Sequence, residues 1–240
     1  MLSLLKELDQ QEILSRYEKA SQEEKDQFLK HFNYIDETCP GGVKDYIKRA
    51  KVLLENSKNN VNPFGEYTPS IPTGFNINVG DSQFLELDKI GMEQIKDTVF
   101  VMVAGGLGER LGYPSIKIGI QTDLITLRPF IQVYIDIIKA YEDRVHKTKS
   151  DLDKNWFIPL CIMTSGDTHD KTVELLEEND YFGLKKNQIV LVKQEKCPAI
   201  LDNECHLSLK KDKLEIETKP HGHGDIHRSE EHTSELQSRI

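Results

Sequence analysis

The run Val103-Ala104-Gly105-Gly106-Leu107-Gly108-Glu109-Arg110-Leu111-Gly112-Tyr113, followed by Lys117, is the segment of this chain best equipped for chemistry. Glycine has no Cβ, so such a backbone can approach a ligand closely or take a positive φ. A loop that leaves the carboxyl edge of a parallel strand turns its amides into the crevice where such sheets bind ligands. Phosphates are natural partners for amides in that position. Arg110 offers a planar fork for phosphate oxygens, and Lys117 a compact charge. The plain alternative is a glycine-rich turn with two surface cations. An apolar run before the glycines and two cations after them favour an anion-binding loop. Spacing argues against two common loops. No Gly-x-x-x-x-Gly-Lys-Ser/Thr run is present. Gly106, Gly108 and Gly112 are spaced Gly-x-Gly-x-x-x-Gly, one residue longer than the dinucleotide fingerprint, which counts against a nicotinamide oxidoreductase.

Two further sets of residues carry chemical potential. Gln194 follows an apolar run, and an amide can both donate to and accept from a base edge; by residue type alone it reads as a surface Gln at a strand end. His221, His223 and His227 with Asp225 form a His-x-His-x-x-x-His array, which leaves a zinc reading open. His169 and His206 read as surface or internally satisfied residues.

These residues need elements to position them. Val99–Val103 is a short apolar run of the buried-strand type, Phe157–Met163 is a second and Ile189–Val192 a third. Between them, Phe130, Tyr134, Ile137, Ile138 and Tyr141 repeat at helical spacing behind Pro129, and Thr168–Asn179 reads as another helix. The alternation predicts an α/β fold with a mainly parallel sheet and helices on both faces. His206–Leu209 and Leu214–Glu217 alternate with period two and predict an antiparallel hairpin at the rim of that sheet. Residues 1–57 read as helices, with a capping box at Ser21-Gln22-Glu23-Glu24. Asn59–Gly80, with Pro63, Pro69 and Pro72, reads as an extended wrap or linker.

Composition bounds the function classes. The 240 residues are 38% hydrophobic and 30% charged, room for one large domain or a domain with an extension. A net charge of −9 argues against a nucleic-acid surface or an anionic membrane. No apolar stretch approaches the roughly 20 residues that span a bilayer, and Lys6 and Glu7 interrupt the N-terminus too early for a signal peptide. Cys39, Cys161, Cys197 and Cys205 contain no Cys-x-x-Cys pair, so reduced thiols and a cytoplasmic location are expected.

At this point a resemblance enters. The Val103–Tyr113 loop with Lys117 resembles the nucleotide-binding loop of UDP-sugar pyrophosphorylases. Ile158–Ser165 with Asp167-Thr168-His169, Leu191–Lys196, and Lys219–His227 resemble three further blocks of that family, in the same order and spacing. Glu109 and the last block resemble the broad-specificity UDP-sugar branch; the UDP-glucose branch usually has Thr at Glu109, and UDP-N-acetylhexosamine pyrophosphorylases have Asn at His223. Gln121–Gln132 departs from the family's Thr- and Gly-rich stretch.

The resemblance implies a Rossmann-like, GT-A-like nucleotidyltransferase fold, truncated here, with residues 1–95 as a helical extension and 96–227 as the first part of the catalytic domain. It implies an enzyme that joins UTP to a monosaccharide 1-phosphate, releasing pyrophosphate. Arg110 and Lys117 become the catalytic cations. Gly105, Gly106 and Gly108 line the nucleotide through their backbone, Gln194 reads uracil, and Gly222 and His223 approach the nucleoside. Mg²⁺ is the expected cofactor, its carboxylate ligand lying beyond residue 227, so this piece is expected to be inactive alone. No nucleic acid or membrane partner is implied, and a monomer is usual for the family. The rival readings are a UDP-N-acetylhexosamine or UDP-glucose enzyme, and a non-catalytic nucleotide-binding protein.

Residues 228–240 stand apart. Arg228–Ser238 back-translates into a common sequencing-library adapter read in frame. The expectation is a non-native tail, set aside from fold reasoning.

Overall fold

A computed structural model describes residues 1–148, 153 and 155–227. The tail expected to be adapter-encoded lies outside the described residues. The described residues divide into two compact units, one built from residues 1–72 and 195–221, the other from the described residues of 73–194 and from 222–227. This differs from the expected boundary near residue 95, and local packing explains both displacements.

The first unit opens with four helices: α1 (Leu2–Glu7), α2 (Gln11–Lys19), α3 (Gln22–Thr38) and α4 (Gly42–Lys58). The capping box read from the sequence starts α3: Ser21 Oγ accepts the Glu24 N–H, and the Glu24 carboxylate accepts the Ser21 N–H at 2.8 Å. Leu5, Ile13, Phe28, Phe32, Ile35, Val43 and Ile47 form its core. Cys205, Leu207 and Ile216 are buried in that same core. Gln10, itself buried, accepts the Leu207 N–H at 2.7 Å and donates to the Cys205 carbonyl at 3.2 Å. The hairpin expected at the rim of the parallel sheet is therefore corrected. Among the described residues its two strands share one isolated antiparallel bridge, Leu209 with Ile216, while Leu207 bridges Ile200 of the preceding segment, and its apolar side packs with the helices.

The second unit carries α5 (Ser82–Gln94), β1 (Phe100–Val103), α6 (Phe130–Thr148), β2 (Leu160–Thr164), α7 (His169–Glu178) and β3 (Ile189–Lys193). Asp81 caps α5 by accepting the Phe84 N–H at 2.7 Å, and Asp88 pairs with Arg144 of α6 at 2.6 Å. Those ties put the last stretch of the expected N-terminal extension into the sheet unit. The strands run parallel in the order β1-β2-β3, with Phe100 beside Leu160 and Leu160 beside Ile189.

Every residue of the central strand β2 is buried. Leu160 and Ile162 share a core with Ile131, Ile135 and Ile138 of α6 and Leu176 of α7. Cys161 and Met163 point the other way and cluster with Val190 and Val192, against Val99 and Ile226. Each fully buried Ile contributes roughly 1.5–3 kcal/mol through removal from water. This packing fixes the carboxyl ends of the three strands. In the first unit, β4 (Lys196–Pro198) and β5 (Thr218–Pro220) pair antiparallel.

Candidate functional site

The glycine-rich loop leaves β1 and closes on itself. Leu107 and Ile116 pair antiparallel, the Gly108 N–H donates to Ser115 O at 2.8 Å, and the Lys117 N–H donates to Gly106 O at 3.2 Å. Gly112 turns the loop with a φ of 69°. Tyr113 donates its hydroxyl to Gly119 O at 3.1 Å, tying the loop to the next turn. A Cβ at Gly108 would sit 2.8 Å from the Tyr113 Cβ. Gly108 thus closes the loop, and its amide is already engaged by Ser115. That corrects the expectation that its backbone lines a ligand. Gly105 and Gly106 remain: neither gives its N–H to another described residue.

Four of the expected residues come together here, in two adjacent pairs. The Lys117 side chain lies across Gly106, with Cδ, Cε and Nζ 3.5–3.6 Å from where a Gly106 Cβ would stand. The Gln194 amide lies against Gly105, its Nε2 only 2.4 Å from that residue's Cβ position. Any side chain at Gly105 would displace Gln194. Gln194 is 6% exposed, and its Oε1 is buried without a hydrogen-bond partner among the described residues. Burying an acceptor unpaired costs about 1–3 kcal/mol, which makes this oxygen a candidate contact for a ligand.

Arg110 sits on the single 3₁₀ turn Glu109–Leu111, exposed and with no ion pair among the described residues. No described contact joins Gly222 or His223 to Gly105, Lys117 or Gln194. Gly222 has a φ of 118°, and the 3₁₀ turn His223–His227 is anchored by Ile226 on the Cys161, Met163, Val190 and Val192 cluster. Among the described residues no group of three His, Cys, Asp or Glu is arranged to hold a metal, so the zinc reading finds no support in this geometry.

Behind the glycines lies a buried polar cluster at the end of β2. Thr164, Ser165 and Thr168 are at most 1% exposed. Thr168 Oγ1 donates to Ala104 O at 2.9 Å and accepts the Ser165 N–H at 3.0 Å. Thr164 O accepts the Gln194 N–H at 2.8 Å, and Thr164 Oγ1 bonds His169 Nδ1 at 2.9 Å. His169 is thereby an internally satisfied residue. The sequence signal for this cluster was a hydroxyl-rich Thr-Ser-x-x-Thr step directly after a strand, in which Ser165 and Thr168 have the spacing of a side-chain-to-backbone turn.

Along the outer side of β1 runs an open groove of about 510 Å³, lined by Val101, Val103, Leu111, Phe130, Tyr134 and Lys117. Apart from Lys117 it is apolar. Its chemistry suits apolar cover; the polar corner formed by Gly105, Gly106, Lys117 and Gln194 is the candidate for an anionic ligand. No helix among the described residues is long and apolar enough to cross a membrane.

Comparison with known proteins places this geometry. The sequence model of the family described as UTP–glucose-1-phosphate uridylyltransferase matches residues 72–239. A UDP-sugar pyrophosphorylase of Arabidopsis thaliana is 40% identical over 230 residues, covering 95% of this chain and 37% of that protein. One from Oryza sativa subsp. indica is 43% identical over 202 residues, covering 81% and 33%. The crystal structure of the uridine diphosphate N-acetylglucosamine pyrophosphorylase from Trypanosoma brucei in complex with inhibitor superposes with a TM-score of 0.71 at 22% identity, over 94% of this chain and 43% of that one. That last likeness speaks for the fold alone. The chain spans about a third of the length of the two plant proteins.

Proposed function

The chain belongs to the UTP–glucose-1-phosphate uridylyltransferase family, and from that premise we propose that it forms the uridine-nucleotide-holding part of a UDP-sugar pyrophosphorylase. The observation that carries the reading is the corner in which Lys117 lies over Gly106 and Gln194 lies over Gly105. The two plant relatives, 40% and 43% identical, support the UDP-sugar branch.

In the proposed reaction a phosphate oxygen of a monosaccharide 1-phosphate attacks the α-phosphorus of UTP in line. A new P–O bond forms, the bond between the α-phosphorus and its bridging oxygen breaks, and pyrophosphate leaves with that oxygen and its electron pair. No covalent bond to protein is required. The protein aligns two polyanions and offsets charge. Lys117 neutralises the phosphates, because two like-charged reactants repel without a cation between them. The free N–H groups of Gly105 and Gly106 face the nucleotide. Arg110, on its exposed turn, reaches the leaving pyrophosphate. Gln194 Oε1 accepts the N3–H of uracil, which satisfies the bare acceptor, and Nε2 donates to O4. Gly222 and His223 are assigned to the nucleoside side.

Mg²⁺ would screen the triphosphate. The described residues offer no acidic cluster to hold it. The four cysteines are free thiols, which supports a reducing, cytoplasmic location.

Calorimetric titration with UTP tests the reading. Lys117→Met is expected to weaken UTP about 10- to 100-fold, the value of one charge-assisted contact of about 1.5–3 kcal/mol, with melting unchanged. Equal UTP affinity in a folded Lys117→Met chain would remove Lys117 from the site.

A further inference from the structure

Where β1 runs out, a side chain takes the place of the next rung to β2. The Ala104 N–H still follows the ladder, donating to Met163 O at 2.7 Å. With Val103 beside Met163, the next bond of a parallel ladder would run from the Ser165 N–H to Ala104 O. Instead the Ser165 N–H donates to Thr168 Oγ1 at 3.0 Å, and Thr168 Oγ1 donates to Ala104 O at 2.9 Å. Counting protons fixes these roles. A carbonyl only accepts and an amide N–H only donates, so the single hydroxyl proton of Thr168 goes to Ala104 O. Ser165 Oγ, 3.2 Å away, is then the donor to Thr168 Oγ1. Ala104, Ser165 and Thr168 are all buried. The Thr168 carbonyl accepts from Thr172 N at 2.9 Å and from Thr172 Oγ1 at 2.7 Å, which ties the inserted residue to the first turn of α7.

The inserted hydroxyl decides where the following amide points. Ala104 C=O and Gly105 N–H belong to one planar trans peptide, so they point in opposite directions. Holding Ala104 O towards the buried hydroxyls directs the Gly105 N–H away from them, and that N–H meets no acceptor among the described residues. A carbonyl that accepts a hydrogen bond also polarises its own peptide, which makes the N–H a stronger donor. We propose that Thr168 is a positioning residue for anion binding: by standing in for the last rung between β1 and β2, its hydroxyl aims and strengthens the Gly105 N–H as a donor to a phosphate oxygen. The inference rests on the nucleotide reading given above and deepens it. It assigns Thr168 no contact with the nucleotide.

The test combines UTP titration by calorimetry with NMR of the glycine amides, on the wild-type chain, Thr168→Val and Thr168→Ser. Gly105→Ala assigns the Gly105 resonance by its loss. Val keeps the shape and removes the hydroxyl; Ser keeps the hydroxyl. Thr168→Val is expected to weaken UTP at least about fivefold, the value of one misdirected contact to a charged group, and Thr168→Ser to stay within about twofold of the wild type. The Gly105 amide proton is expected to move downfield on UTP binding in the wild type and in Thr168→Ser, and less far in Thr168→Val even at saturation. A hydroxyl that served only the fold would change melting without changing that response. A folded Thr168→Val with wild-type affinity overturns the proposal, as does a folded Thr168→Ser that loses as much as Val. If Thr168→Val does not fold, Thr168→Cys, whose thiol is a weak donor, takes its place with the same two outcomes. A wild type that binds UTP without moving the Gly105 resonance overturns this inference and leaves the role of Lys117 standing. A wild type that binds no UTP is a different failure: it removes the nucleotide reading, and the aimed amide with it.

Discussion

Gly105 is the position where a single atom matters most. Its backbone is not in the left-handed region, so alanine is conformationally allowed, yet the added Cβ would stand 2.4 Å from Gln194 Nε2. The neighbour that must move is the end of a side chain, so the fold should absorb the change. Gly105→Ala is expected to leave the melting temperature equal or slightly higher, since it restricts the unfolded chain by about 0.4–1 kcal/mol. UTP affinity should fall about tenfold, the worth of one hydrogen bond to the base. A thermal melt paired with UTP titration checks both halves; unchanged affinity would mean that Gln194 is not pressed against the ligand. Residues of this kind were partly legible. Arg110 and Lys117 announce themselves by charge beside a glycine-rich loop, whereas Gln194 reads by type as a surface residue and is singled out only by the resemblance to the family. Thr168 did not announce itself, because its importance comes from meeting Ala104, 64 residues away in sequence. Gly108 was misread for a related reason: glycine spacing reveals where a Cβ is unwelcome, not whether a ligand or Tyr113 is the object in the way.

Elements hold these residues through buried polar ties as well as apolar packing. Glu142 of α6 accepts the Ile158 N–H at 2.8 Å and the Gln188 side chain at 2.6 Å, and Gln188 donates again to Ile158 O at 3.0 Å. This network joins α6 to the approach of β2 and to the turn before β3. Burial raises the Glu142 pKa above its ordinary value, against the lowering effect of the two hydrogen bonds. A carboxyl whose folded pKa is raised binds more protons folded than unfolded. Its contribution is therefore most favourable below its unfolded pKa and declines as pH rises through the folded one. Glutamine keeps an acceptor and does not titrate. The melting temperature of Glu142→Gln relative to wild type should thus be more favourable at pH 7.5 than at pH 4. A difference independent of pH would contradict the assignment of a raised pKa. The helices and strands that carry these ties were foreseen from periodicity to within a few residues. The 206–217 segment was foreseen as antiparallel but assigned to the wrong core, since period two shows that one face is buried and cannot say which element covers it. Leu207 and Ile216 are covered by the helices, with Gln10 supplying the polar match.

At the scale of the whole chain, the apolar run Val99–Val103 is more exposed than its residue types lead one to expect. It reads as a strand buried on all sides, yet Val101 is 49% and Val103 40% exposed. β1 has one neighbour, β2, among the described residues, so its outward backbone groups and the apolar groove beside it remain open. The chain covers 37% of the length of its Arabidopsis thaliana relative. The proposed nucleotide corner lies within one unit, where Gly105, Gly106, Lys117 and Gln194 are held by β1, β2, β3 and their turns.

Amide hydrogen exchange of the intact chain, with and without UTP, therefore tests the central claim most directly. UTP is expected to slow exchange in the peptides covering Ala104–Lys117 and Gln194, and to leave the helices α1–α4 unchanged. Protection confined to other parts of the chain, or none at saturating UTP, would contradict it.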